Sequence, residues 1–185
     1  MILAIDPSGN FNEGKGISGW VLMEETNGKI IKFGAIDAST SIDMEEHWDK
    51  HIDLIMNMDK EYEDIVVVIE DYMLQASKAM SQTNSRMETP KLIGVIQYFC
   101  WIKDIKLVLQ TPVSVKRRWK DFLLSKKGYM EMETRTSRAG ISYAYCSING
   151  FRVNGHVIDA LRHAVHYYTF QSKKENDYEL QDTYE

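Results

Sequence analysis

The spacing of hydrophobic positions changes period along the chain, and each change marks an element. Ile2-Leu3-Ala4-Ile5 is a short apolar run ending at Asp6, followed by the turn-forming Pro7-Ser8-Gly9-Asn10. This predicts a buried strand stopped by a tight loop. Ile17 to Met23 resumes a strand pattern, and Asn27-Gly28 is a hairpin signal before a third strand over Lys29 to Ile36. From Asp43 the period becomes helical. Met44, Trp48, Ile52, Ile55 and Met58 share a face and are expected in the core, with charges opposite. Asp64 to Glu70 reads D-I-V-V-V-I-E, a β-branched run without alternation, as expected of a strand covered on both faces.

In the second half, Thr89-Pro90 supplies an N-cap and a first-turn proline for a helix to about Lys103. A strand over Ile105 to Leu109 is stopped by Pro112, and Ser114 to Ser125 reads as one helix. Lys126 to Glu133 shows no period and is expected to be a mobile loop. A helix is predicted over Thr134 to Ile148, ending at Asn149-Gly150, and a last one over Gly155 to Phe170. The residues after Gln171 carry two lysines and five acids, the mark of a disordered acidic tail. Hairpins followed by strand–helix–strand crossovers imply an α/β domain over residues 1–170, with a mixed sheet and helices on both faces, and a tail over 171–185.

Three acids each close or interrupt an apolar element. Asp6 ends the first strand, Glu70 ends the most apolar strand, and Asp159 lies within His156-Val157-Ile158-Asp159-Ala160-Leu161. In an open α/β sheet, sites form at the carboxyl ends of parallel strands, where Asp6 and Glu70 would emerge as neighbours. His156 and Asp159 are three residues apart and share a helix face; His163, four beyond Asp159, shares it too. Taken singly, a strand-end acid is more often a turn residue or cap, and a lone histidine more often a cap or core residue. Together, three carboxylates and an imidazole at one sheet edge would repel unless a cation joined them. Hard oxygen ligands suit Mg²⁺ or Mn²⁺, and a pair of such ions can activate water and stabilise the leaving oxygen of a phosphodiester.

The blocks I-L-A-I-D-P-S-G, I-S-G-W, V-V-V-I-E, T-P-V-S-V-K and H-V-I-D-A-L-R-H-A, in that order, resemble the RuvC-type Holliday junction resolvases over about residues 1–168. The resemblance implies an RNase H-like mixed five-stranded sheet with helices on both faces. It further implies that Asp6, Glu70 and Asp159 are catalytic acids binding two metal ions, with His156 as a fourth ligand or water-positioning group. Lys116 matches a basic residue near the scissile phosphate. A homodimer and branched DNA as substrate are implied as well, in the bacterial cytoplasm or, for a phage-encoded member, in its host's. Three places depart from the family pattern. Residues 10–15 lengthen the loop after Asp6, Tyr72 and Met73 stand where bacterial members carry an aromatic wedge, and 128–133 lacks a glycine-rich arrangement. Lys127 and Arg135 are both candidates for a second family lysine.

Charge refines the partner. The chain of 185 residues carries −5 overall, yet Lys103 to Arg138 holds ten basic and four acidic residues, +6, leaving −11 elsewhere. Lys116, Arg117, Arg118, Lys120, Lys126, Lys127, Arg135 and Arg138, with Trp119 among them, are expected to form a phosphate-binding surface beside the acids. The apolar positions Leu92, Ile93, Val95, Ile96, Phe99 and Ile102 exceed one helical stripe, so the helix from Thr89 has apolar surface to spare for a second copy. Only two cysteines are present, Asp6 interrupts the N-terminal apolar stretch, and the apolar runs fall far short of the ~20 residues of a membrane span. A soluble intracellular protein with no membrane partner is the expectation. Two other functions share the same residues: an RNase H-like or RNA-processing nuclease, and a non-catalytic protein that binds branched DNA.

Overall fold

The two acid-ending strands are central neighbours of one sheet. The computed structural model describes residues 1–11, 14, 16–73, 87–136 and 142–170. In chain order the elements are β1 (Ile2–Asp6), β2 (Ile17–Met23), β3 (Ile30–Asp37), α1 (Met44–Glu61), β4 (Val66–Glu70), α2 (Glu88–Ile102), β5 (Lys106–Gln110), α3 (Pro112–Arg118), α4 (Asp121–Lys126), β6 (Glu131–Thr136), β7 (Ser142–Ile148), β8 (Phe151–Val153) and α5 (Gly155–Phe170). The main sheet runs β3-β2-β1-β4-β5. β1 pairs antiparallel with β2 and parallel with β4, with Ile5 opposite Ile69, and β4 pairs parallel with β5, with Glu70 opposite Gln110.

Alternation along the central strands divides the core into two layers, because successive side chains point to opposite faces. Ile2, Ala4, Val66 and Val68 pack against Val157, Leu161 and Ala164 of α5. Leu3, Ile5, Val67 and Ile69 pack against Ile55 of α1 and Leu92 and Ile96 of α2. Helices therefore cover both faces, as the continuous V-V-V-I run requires.

Five expectations are corrected. The described residues of the predicted helix over Thr134–Ile148 are strand instead, and 137–141 lie outside the described residues. β6, β7 and β8 form a separate antiparallel sheet there, and the predicted loop over Lys126–Glu133 gives way to β6 at Glu131. Cys146 and Ile148, two apart, are buried at strand period. Ile148 pairs with Phe151 across Asn149-Gly150, both at positive φ (51° and 79°). That dipeptide is a two-residue hairpin turn of the kind Asn-Gly favours, rather than a helix end. The helix expected over Ser114–Ser125 is two, broken at Trp119, which is buried. α1 turns His47, His51, Ile55 and Met58 inward, while Met44, Trp48 and Ile52 are only half-buried. Finally, α2 starts at Glu88 after Met87 in the left-handed region, and Thr89 Oγ1 accepts from Gly9 N (3.0 Å) instead of capping the helix.

Candidate active site

Asp6 and Glu70 leave the carboxyl ends of adjacent parallel strands, and α5 crosses that edge. Its close approach depends on Gly19, the residue opposite Asp6 in β2. A Cβ at Gly19 would collide with the backbone of His156 and Val157, so glycine is needed for the first turn of α5 to lie against the sheet. His156 then donates from Nδ1 to Asp6 Oδ2 (2.7 Å). One turn on, Asp159 Oδ2 receives Lys116 Nζ at 2.9 Å, and the same ammonium lies 3.1 and 3.0 Å from Glu70 Oε1 and Oε2. Lys116 comes from α3, which Pro112 starts directly after β5.

The charges of these groups act on one another. Burial pushes the Asp6 carboxyl up. The His156 hydrogen bond opposes this, while the Glu70 and Asp159 charges push the same way. Burial would also raise Glu70, but hydrogen bonds from His163 and Lys116 outweigh it and hold the group below its ordinary value. His156 is raised, first by its hydrogen bond to Asp6 and then by the charges of Asp6 and Asp159. For Lys116, burial pulls downward, and Asp159 with Glu70 more than compensates.

His163, expected on this face, and two residues that the sequence did not single out, Gln110 and Arg162, complete the arrangement. Gln110 Oε1 lies 2.9 Å from His163 Nδ1, and His163 Nε2 lies 2.9 Å from Glu70 Oε2. Arg162 binds Asp159 and Asp121 and donates from Nε to the Trp119 carbonyl (3.0 Å). The β5 strand end beside Glu70 was the signal for Gln110. Arg162, three after Asp159, was the signal for the second ion pair.

A cleft of about 410 Å³ opens beside Asp6 and Glu70, walled by Tyr72, Met73, Thr89 and Val113. Met73 is exposed and Tyr72 packs partly into the core. Arg117, Arg118, Lys120, Lys126 and Lys127 are exposed on and between α3 and α4. The Arg118 guanidinium sits 4.1 Å from the Phe170 ring centroid. Trp119 is removed from the expected basic surface by its burial, the Arg135 side chain is not described, and Arg138 lies outside the described residues.

Among the described residues, no three acidic, histidine or cysteine side chains already form a cage for a metal ion. The donor set nevertheless fits one. A cation, the Lys116 ammonium, stands between Glu70 and Asp159, and Asp6 feels both charges from beside them. Carboxylate oxygens of this kind suit a hard divalent ion once the lysine is drawn aside.

The mixed five-stranded sheet with helices on both faces is an RNase H-like fold. Among solved structures it is similar to T. thermophilus RuvC in complex with Holliday junction substrate, with a TM-score of 0.60 at 10% identity over 92% of this chain and 96% of that one. It is similar also to the Thermus thermophilus RuvC structure, at 0.56 and 12% identity over 90% and 93%. No family model matches the sequence, and no curated protein matches it. The likeness is one of fold, over nearly the full length of both chains.

Proposed function

We propose that the protein is a divalent-metal-dependent endonuclease that cuts branched DNA such as four-way junctions. The carrying observation is the meeting of Asp6, Glu70 and Asp159 with Lys116 and His156 at the carboxyl edge of β1 and β4. The chain matches, along nearly all its length, a RuvC structure that holds Holliday junction substrate.

Asp6, Glu70 and Asp159, with His156, would hold Mg²⁺ or Mn²⁺, two ions in the reading that the resemblance implies. Such ions supply activation of water and stabilisation of the leaving oxygen. The chain's own groups supply the rest. Lys116 exchanges its carboxylate partners for a phosphate oxygen, orienting the backbone and offsetting charge that develops on it. His156 holds Asp6 through Nδ1, and Arg162 holds Asp159 against α4. Arg117, Arg118, Lys120, Lys126 and Lys127 extend phosphate contacts away from the site, in keeping with recognition through backbone and shape.

A homodimer belongs to this reading. Tyr98, Trp101 and Ile102 on α2 are 63%, 75% and 54% exposed, an apolar patch that a second copy would cover, and a two-fold assembly suits a substrate with two equivalent strands. Sedimentation at micromolar concentration should give a dimer. No described helix is long and apolar enough to cross a membrane, and a cytoplasmic location accompanies a DNA substrate.

The test is a substrate panel: a labelled immobile four-way junction, its matched duplex and an RNA–DNA hybrid, each with Mg²⁺, Mn²⁺ or EDTA. Metal-dependent cutting confined to the junction is expected. Cutting of the hybrid alone would move the function to an RNase H-like ribonuclease. Tight junction binding without cutting would make this a binding protein.

A further inference from the structure

His163 is wholly buried, yet both of its ring nitrogens are engaged. The β4–β5 register sets Gln110 beside Glu70, and α5 lays His163 across the pair. An ionised carboxylate only accepts, so the hydrogen between His163 and Glu70 is on Nε2; Nδ1 of that tautomer accepts, and a half-turn of the Gln110 amide brings its NH2 to it. The two donors that reach Glu70, one an ammonium and one an imidazole N–H, are therefore unequal. The lysine ammonium, on a flexible stem, reaches both oxygens, whereas the imidazole reaches Oε2 alone. When Lys116 turns to a phosphate, Oε2 keeps its partner and Oε1 loses the one it has among the described residues.

We infer that His163, oriented by Gln110, is a positioning residue that occupies Glu70 Oε2 and so presents Oε1 as the oxygen offered to a divalent cation. This rests on the reading of Glu70 as a cation ligand. The same helix then does two jobs: Asp159 contributes a carboxylate directly, and His163, one turn further, aims the carboxylate of another element. A half-buried glutamate without such a partner samples several rotamers, and each lost orientation lowers the fraction ready to bind. Partners of this kind around ligating groups are worth about 10–100-fold in metal affinity.

The test is Mn²⁺ binding to the full chain without DNA, read by electron paramagnetic resonance, with circular dichroism and melting on each variant. His163→Leu removes the donor; His163→Gln restores an N–H near the position of Nε2; Gln110→Leu leaves the imidazole but frees its far side. His163→Leu is expected to bind Mn²⁺ about 10–100-fold more weakly while folded, His163→Gln to return within about threefold of the parent, and Gln110→Leu to lose about fivefold. If His163→Leu does not fold, the other two variants decide. A folded His163→Leu with unchanged Mn²⁺ affinity overturns the inference. So does a His163→Gln as weak as the leucine variant, a Gln110→Leu with parental affinity, or a parent that binds no Mn²⁺. A parent that binds Mn²⁺ through Glu70, as shown by loss in Glu70→Gln, yet cuts no junction would sink the nuclease reading and leave this one standing.

Discussion

Two polar clusters flank Asp6, and they are built on opposite principles. On the α1 side, the Ser18 hydroxyl accepts from Ser8 N (2.8 Å), His47 Nε2 contacts Ser8 O (3.0 Å), and His51 bridges the His47 carbonyl (2.7 Å) and Ser18 Oγ (2.8 Å). His47, His51 and Ser18 are fully buried, and burial pulls His51 down to about 4, so it is neutral at physiological pH. On the α5 side, Glu70, Lys116, Asp159 and Arg162 are charged and still reach solvent. The first cluster ties the backbone of the loop after Asp6 to β2 and α1, and its one ring nitrogen unpartnered among the described residues, His47 Nδ1, is buried away from solvent. The second joins its charges mostly to one another, through a lysine that can leave. Burial with backbone-directed partners suits a clamp; partial exposure with exchangeable ionic partners suits the working site proposed above.

The widest separation between the two is expected in catalysis. Asp6→Asn, Glu70→Gln and Asp159→Asn should each lower junction cleavage by at least about a thousandfold while junction binding persists, because each removes a charge that no neighbour replaces. Gel-shift and single-turnover assays on the same preparations check this. A variant among the three that cuts at the parental rate would remove its residue from the site. Lys116→Ala comes next, with cleavage slowed about a hundredfold and junction affinity changed by about threefold or less.

The α1 cluster should respond in stability instead. His51→Leu leaves Ser18 and the His47 carbonyl without their buried partner, at a cost of about 2–3 kcal/mol in denaturant unfolding, with cleavage by the folded fraction near normal. The parent should show the corresponding pH dependence. His51 has a folded value of about 4 against 6.5 unfolded, so the unfolded chain takes up the proton first. Its contribution is complete above about pH 6.5 and declines as pH falls towards 4, by up to about 3 kcal/mol. His51→Leu should flatten that slope; an unchanged slope would place the acid sensitivity elsewhere. The smallest effect is expected from the exposed bases. Arg117→Gln, Arg118→Gln and Lys120→Gln should each lower the salt dependence of junction binding by about one unit of slope or less, without touching the rate of cutting.

What the sequence revealed follows from how local each signal is. The strands ending at Asp6 and Glu70 were legible because a β-branched run closed by an acid carries its own period and its own stop. Their adjacency followed from connection rules. The β6–β8 sheet was not legible, because Asn149-Gly150 needs the same left-handed backbone whether it ends a helix or turns a hairpin. Only the pairing of Ile148 with Phe151 separates the two. The inner face of α1 was read one position off for a related reason. A hydrophobic pattern scores His47 and His51 as polar, yet they point inward because the loop after Asp6 supplies their partners. Of the residues that meet at this sheet edge, Asp6, Glu70, His156 and Asp159 were named from strand ends and helix spacing, Lys116 from the resemblance, and His163 from its place four beyond Asp159. Gln110 and Arg162 were not: Gln110 acts through sheet register, and the spacing of Arg162 from Asp159 allows an ion pair without showing its reach to Trp119 and Asp121.

The most direct test of the central claim is to map the cuts on an immobile four-way junction with the parent protein and with Asp6→Asn, in Mg²⁺ and in EDTA. Paired nicks on opposing strands, leaving 5′-phosphate and 3′-hydroxyl ends, present only for the parent with Mg²⁺, are the predicted result. Nicks that persist in EDTA or in Asp6→Asn, or a junction left uncut by the parent in Mg²⁺, would contradict the account.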